Sequence, residues 1–353
     1  MNPQPTSFAG VTLTSAGTAV SSPLAKDSAG LYPKFVRVAA TGSGAYVRFS
    51  NSGIAAATTA YTLVQPGDAL ILDVSTLPLV SVISVSGTSV VTVSSLEWGG
   101  WMNPIEAQVA ALFASGEQGI WLDPSDFSTM YQDTAGTTPV TAVGQSVALI
   151  KDKSGRGNNA SQATAINRPV LQMDGTGRYY LAFNGSNSFL LTPNIDFTAT
   201  NKMTVSVGLR KLSDATRGIV AELSTSSANP GTISIGAPNA AAAANYGFTS
   251  TGTTSVPLNI TTYTAPLTST LVGISDIGAP VATINVNGVQ AFSSASTQGT
   301  GNYSNNPLYI GARAGTSLFF NGQIYSFAVR GAASSAAQVS GMEAYSNNKT
   351  GAY

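Results

Sequence analysis

Turn-forming residues interrupt this chain so often that the space between them suits little but short strands, and those spaces are filled with β-branched residues. Phe35-Val36-Arg37-Val38 and Tyr46-Val47-Arg48-Phe49 alternate and flank Thr41-Gly42-Ser43-Gly44. Leu79 to Val85 and Val90-Val91-Thr92-Val93 flank Ser86-Gly87-Thr88-Ser89 in the same way. Both pairs predict hairpins. Tyr61-Thr62-Leu63-Val64 runs into Gln65-Pro66-Gly67-Asp68, where Pro holds the second turn position, and Ala69-Leu70-Ile71-Leu72-Asp73-Val74 follows. Strands spaced by turns about every 8–12 residues argue for a small all-β sandwich or barrel over residues 1–97. No fixed-period repeat points to a solenoid.

Residues 98–118 read differently. Asn103 can cap a helix, Pro104 fits its first position and Glu106 stands at the third, able to reach back. Ile105, Val109, Leu112 and Phe113 make an apolar stripe at helical spacing, and Gly116 ends it. The segment is expected to be a linker carrying one short docked helix. From 119 to 353 the β pattern returns in Ile120–Leu122, Val147–Ile150, Tyr179–Phe183, Met203–Leu209, Ile219–Leu223 and Ile233–Ile235. It continues in Leu271–Ile274, Ala282–Val286, Leu308–Ile310 and Gln323–Val329. Two antiparallel sheets packed face to face suit that many strands. Ser335-Ala336-Ala337-Gln338 is a capping box that opens a second short helix through Val339, Met342 and Tyr345. Ala237–Ala244 lies between strands and reads as a loop.

Charge excludes much of what such a chain could do. Sixteen basic and sixteen acidic residues make 9% of 353, against about 25% in an ordinary soluble protein. With no basic surplus, nucleic acid is not an expected partner. Neither His nor Cys occurs, so imidazole and thiolate chemistry, the Ser-His-Asp triad and disulfides are excluded together. Met1 to Ser7 has neither a charged nor an apolar stretch, so no signal peptide is expected, and no apolar run of ~18 residues predicts a membrane span.

Several stretches of the second region together resemble one family. Asp152-Lys153-Ser154-Gly155-Arg156-Gly157-Asn158-Asn159-Ala160 is similar to an early D-x-S-G-x-G-N-x-A turn, and Tyr180-Leu181-Ala182-Phe183-Asn184-Gly185 to a strand followed by F-N-G. Ile284-Asn285-Val286-Asn287-Gly288 resembles a strand entering an N-G turn. Leu308-Tyr309-Ile310-Gly311, Phe320 through Phe327 and Ala333 to Val339 resemble the closing strands and helix. In this order they resemble the concanavalin A-like, laminin-G-like jelly-roll family, above all its versions in bacteriophage and bacterial surface proteins. Ile120 to Asp126 with Tyr131-Gln132-Asp133 is similar to the start of that domain in phage virion proteins. The fold so implied is a concanavalin A-like β-sandwich, which carries lectins, glycanases, adhesins and inert spacers alike.

Candidate chemistry is sparse. Glycoside hydrolysis needs two carboxylates across a cleft. The glucanases of this class carry E-x-D-x-E, whereas here no carboxylates stand at i, i+2, and the closest pair is Asp123 and Asp126. No catalytic residue is therefore assigned, and Asn at either position is expected to leave any glycan binding intact. Asp152, Ser154 and Asn158 superficially resemble a calcium loop but lack the EF-hand pattern and its bidentate Glu, so an Asx-turn is the preferred reading. No metal or cofactor is expected. Trp98, Trp101 and Trp121, all the tryptophans present, cluster at the junction; they read first as a clamp between the two sandwiches and second as a partner interface. Arg156, Arg168, Arg178, Lys151 and Lys153 form the one local basic run, expected to be a solvated face.

The resemblance implies a non-enzymatic structural protein on a tailed bacteriophage particle, made in the host cytoplasm. Its N-terminal domain would grip the major capsid protein or another virion protein, as a capsid decoration protein does, and its jelly roll would be displayed. Low charge favours a homo-oligomer. Two readings stand beside it: a tail-fibre or receptor-binding protein that holds host surface polysaccharide, and a polysaccharide-degrading enzyme.

Overall fold

Four short turns in the first hundred residues each carry the chain from one sheet to another, and this decides the architecture of the N-terminal part. A computed structural model describes residues 10–24, 35–50, 62–66, 69–73, 79–95 and 104–353. The chain divides into two compact units, Met1–Asn103 and Pro104–Tyr353.

The first unit contains β1 (Gly10–Ser15), β2 (Val20–Pro23), β3 (Phe35–Gly42), β4 (Ala45–Ser50), β5 (Thr62–Val64), β6 (Ala69–Asp73), β7 (Leu79–Ser84) and β8 (Ser89–Ser95). Two antiparallel sheets result, in the orders β1-β8-β3-β6 and β2-β7-β4-β5. The two predicted hairpins are therefore not hairpins. β3 pairs with β8 and β6, while β4 pairs with β7 and β5. Likewise β7 and β8 lie in different sheets. The reason is visible in the turns, which bond to each other instead of closing their own ladders: Ser43 N donates to Thr88 O at 3.2 Å and Val85 N to Gly44 O at 2.8 Å. Ser89 Oγ adds bonds to the carbonyls of Ser43 and Gly44 at 2.6 and 2.9 Å. Gly42 has φ +85°, and a Cβ there would lie 2.5 Å from Thr88 O, so glycine is required where the crossings meet. Alternate apolar side chains of β3, β4, β5, β7 and β8 point inward, giving a core that includes Val36, Val38, Val47, Val64, Val80, Val82, Val91 and Val93. Paired sheets in these orders form the eight-stranded jelly roll. Gly67, Asp68 and Val74 lie outside the described residues.

The second unit is a larger antiparallel sandwich. One sheet runs β10 (Met130–Tyr131), β11 (Leu149–Ile150), β12 (Ala160–Ser161), β15 (Leu190–Asp196), β24 (Asn305–Ile310), β17 (Ile219–Leu223), β18 (Thr232–Gly236), β19 (Asn245–Thr251) and β20 (Ser255–Thr261). The other runs β13 (Val170–Met173), β14 (Tyr179–Asn184), β25 (Asn321–Arg330), β16 (Lys202–Lys211), β21 (Leu267–Asp276), β22 (Val281–Val286) and β23 (Val289–Ser294), with β9 (Gly119–Leu122) alongside β25. Pro257 lies in β20, the last strand of its sheet, where a missing N–H costs least. β19, Asn-Tyr-Gly-Phe-Thr-Ser-Thr, has no apolar alternation to announce it and is nevertheless buried along its whole length.

A third layer covers one sheet. α1 (Pro104–Ala111) and α2 (Ala336–Thr350) lie on the outer face of the eight-stranded sheet, where Val109, Leu112 and Phe113 pack with Trp121, Val272, Ala328, Val339, Met342 and Tyr345. The first helix is thus a structural part of the second unit, not a linker element, because its stripe is buried against that unit's own side chains. Asn103, its expected cap, lies outside the described residues. Arg330 Nε donates to Leu112 O at 2.6 Å and Arg156 donates to Phe113 O, so cations meet the carbonyls at the helix end. In α2 both limbs of the capping box form, Gln338 N to Ser335 Oγ at 3.4 Å and Ser335 N to Gln338 Oε1 at 2.9 Å.

Across the sandwich Gly273 of β21 receives the ring of Phe248, to which a Cβ would come within 2.7 Å. Gly273→Ala should overpack this contact and cost about 1–3 kcal/mol. Urea denaturation checks it: an unchanged midpoint would show that the sheets separate freely there.

Candidate functional site

Strand alternation assigns the two faces of the nine-stranded sheet. Ala221, Ile235, Phe248 and Leu258 stand opposite one another along the ladder and enter the core. Their neighbours Glu222, Ser234, Thr249 and Pro257 therefore point outward, with Tyr309 opposite Glu222, and Gly236, Gly247 and Asn259 form the next outward row. On this face Glu222 is 0% exposed because Arg313 clamps it bidentately, Nη2 to Oε1 at 2.7 Å and Nε to Oε2 at 2.9 Å. Arg313 also donates to Ser227 Oγ at 2.9 Å. Asn239 lies over the two glycines, where a Cβ on either would come within 2.4 Å of its side chain. It bridges the surface, donating to Asn259 Oδ1 at 2.6 Å and accepting from Arg217 Nη2 at 3.3 Å. Two buried polar atoms among these residues lack a hydrogen-bond partner, Ser234 Oγ and Arg217 Nε. Burial, then the nearby Arg313, disfavour the charge on Arg217, while Glu222 favours it.

Ser234 and Thr249 are buried, but the amides of Asn239 and Asn259 and the half-buried guanidinium groups can exchange hydrogen bonds with a polyhydroxylated ligand, and Tyr309 offers a half-buried ring beside them. Sequence reasoning missed this face. Glu222 and Arg313 stand 91 residues apart, and Asn239 belongs to a stretch read only as a loop. The legible signal was glycine inside strands, which marks a close approach by other groups.

The carboxylate pair singled out from the sequence is placed elsewhere. Asp123 is 0% exposed; its Oδ2 meets Lys349 Nζ at 2.9 Å and Lys153 Nζ at 3.2 Å. Glu106 accepts the same two ammonium groups at 2.9 and 3.4 Å, and Asp126 takes Lys153 at 2.9 Å. Glu106 therefore ties α1 to this cluster by its side chain. Trp121 is wholly buried beside it, its indole N–H donating to Tyr345 Oη at 3.0 Å and its ring 4.8 Å from Lys153 Nζ. It holds β9 to α2 within the second unit; Trp98 and Trp101 lie outside the described residues.

Asp152 closes its turn by accepting from Trp121 N, Ser154 N, Ser154 Oγ and Asn158 N at 2.7–3.0 Å, so both oxygens are occupied by protein donors. The predicted basic face disperses. Arg168 binds the carbonyls of Gln132, Gln162 and Ala163, Lys151 lies over the Tyr131 ring, and Lys153 is in the ion cluster. Lys211, 0% exposed, spends its charge on Asp214 and the carbonyls of Asn245 and Tyr263.

Burial alone would raise the Asp123 pKa, but Lys349 and Lys153, with the Ser125 hydroxyl, outweigh it and hold the carboxyl at about 2. A folded pKa below the unfolded value of about 3.9 stabilises fully above that value, and the contribution drains as pH falls toward 2. Asp123→Asn should cost about 3–5 kcal/mol at neutral pH and flatten the fall in Tm between pH 4 and 2. Calorimetry across that range checks both; an Asn variant as acid-sensitive as the parent would contradict the assignment.

Residues 183–340 match the family model described as Concanavalin A-like lectin/glucanases superfamily. No curated protein matches the sequence. Among solved structures, the binding domain of Paraclostridial Mosquitocidal Protein 1 is 14% identical over 56% of this chain and 49% of its own, with a TM-score of 0.43. The receptor-binding domain of botulinum neurotoxin D is 10% identical over 66% and 52%, TM-score 0.45. NanB sialidase from Streptococcus pneumoniae is 19% identical over 46% and 27%, TM-score 0.35. The chain spans about half the length of the first two of these proteins. The second unit is an antiparallel β-sandwich whose residues 183–340 are similar to the concanavalin A-like family.

Proposed function

We propose that the second unit is a non-enzymatic carbohydrate-binding module. The outward face of its nine-stranded sheet carries the reading. There hydroxyl, amide and guanidinium groups converge, and the one carboxylate in the outward row of described residues, Glu222, is locked by Arg313. A glycosidase needs one carboxyl free to protonate the leaving oxygen and a second across from it. A bidentately clamped, inaccessible Glu222 suits neither role, whereas fixed polar groups beside a tyrosine ring suit sugar hydroxyls.

The first unit is proposed to attach the module to a larger assembly, with the surface of a tailed bacteriophage particle as the setting and the major capsid protein as partner. An eight-stranded jelly roll is an architecture that recurs in viral capsid domains, and a 9% charge content suits a chain that buries its surface against neighbours. A protein bound only to the assembled shell stabilises it by mass action.

Binding to an oligosaccharide array tests the module. Asn259→Ala and Tyr309→Ala should each lower affinity roughly five- to tenfold, as loss of a hydrogen bond or a ring contact does, with the fold kept in thermal melts and Tm lowered only slightly in Asn259→Ala, which frees the Asn239 amide. Release of reducing sugar that disappears in Glu222→Gln would overturn the non-enzyme reading. The setting is tested by copy number in purified particles: a ratio near one to the capsid protein supports decoration, a few to a few dozen copies moves the chain to the tail, and absence from particles refutes it.

A further inference from the structure

Charge on the outward face does not balance. Arg313 spends its guanidinium on Glu222, but Arg217 makes a single hydrogen bond, to the amide oxygen of Asn239, and has no carboxylate partner among the described residues. Lys151, Arg156, Arg168 and Arg178 likewise meet hydroxyls or carbonyls, but none of them is shown beside a second guanidinium, whereas six other cations of the second unit are neutralised. Lys153, Lys202, Lys211, Lys349, Arg313 and Arg330 all pair with carboxylates. A half-buried guanidinium without a counter-charge beside a second guanidinium is unfavourable unless something negative joins it. On the same face the Ser234 hydroxyl, 1% exposed, has a proton to donate and no acceptor.

Resting on the carbohydrate-binding reading above, we infer that this face recognises an acidic saccharide, whose carboxylate or sulfate is the missing partner of Arg217. The anion would sit where Arg217, Asn239 and Arg313 approach one another, and hydroxyls elsewhere on the sugar would meet Asn259 and Tyr309. A guanidinium presents two parallel N–H groups to such an oxyanion, a geometry an ammonium lacks. Glu222 remains with Arg313 throughout: it neutralises that second cation and keeps its fork fixed, so that Arg217 alone sets the preference for charge.

The test uses the full chain and paired probes that differ only in charge, oligogalacturonate against its methyl ester and dextran sulfate against dextran, measured by calorimetry at low and high NaCl. The expected result is at least tenfold tighter binding of one acidic member than of its neutral twin, weakening with salt. Arg217→Gln should bring the pair to within about twofold, and Arg217→Lys should retain part of the preference. Thermal melts confirm that both variants fold, and the Lys variant separates loss of charge from loss of packing. Equal binding of acid and neutral partners, or a preference untouched in Arg217→Gln, overturns the inference and leaves the carbohydrate reading standing. No binding of any saccharide, here or on the array, overturns both.

Discussion

Asp123, a carboxylate without access to solvent, is the tie on which the layered form of the second unit depends. Two lysines reach it from different parts of the chain, Lys153 from the turn after β11 and Lys349 from the end of α2, and Glu106 brings α1 to the same pair. Burying such a group alone would be costly; with two ammonium groups and the Ser125 hydroxyl it becomes a specific junction. The junction holds two helices over the outer face of the eight-stranded sheet. On the outward face of the nine-stranded sheet polar groups from separate strands converge instead, Glu222, Ser234 and Thr249 buried and Asn259 exposed.

Scarcity of charge gives each ionised group unusual weight. In a protein with many surface charges an unpaired arginine would mean little, since exposed ion pairs contribute about 0–1 kcal/mol. Here Asp123, Glu222 and Lys211 are wholly buried and engaged, so these charges are spent on internal joints. Arg217, half-buried beside a second guanidinium and bonded only to the Asn239 amide, lies on the same face as the orphaned Ser234 hydroxyl.

Much of the second unit was legible because its signals are local. The Ser335–Gln338 box forms as written, the Asp152 turn closes through its own Ser154 and Asn158, and ten of its strands coincide with or overlap apolar runs. The candidate face was not legible. Its parts come from strands far apart in the chain, and β19, with its Gly247, is too polar to announce itself although it is buried throughout. Trp121 was noticed for its rarity, but its role, donating to Tyr345 from 224 residues away, is a product of packing.

The sequence by itself determined that this chain would be built of short strands, without thiol or imidazole chemistry, and with a helix cap where Ser335 and Gln338 stand. These follow from backbone preference and residue identity, which need no partner. Only the tertiary structure decided which strands pair. A turn such as Ser43-Gly44 has the same residues whether it folds a strand back on its own sheet or carries it to the next. The choice rests on hydrogen bonds to a second turn some forty residues on. In the same way only the tertiary structure could show that Glu222 is occupied by Arg313 while Arg217 is not, because pairing of charges is settled by distance in space and not along the chain.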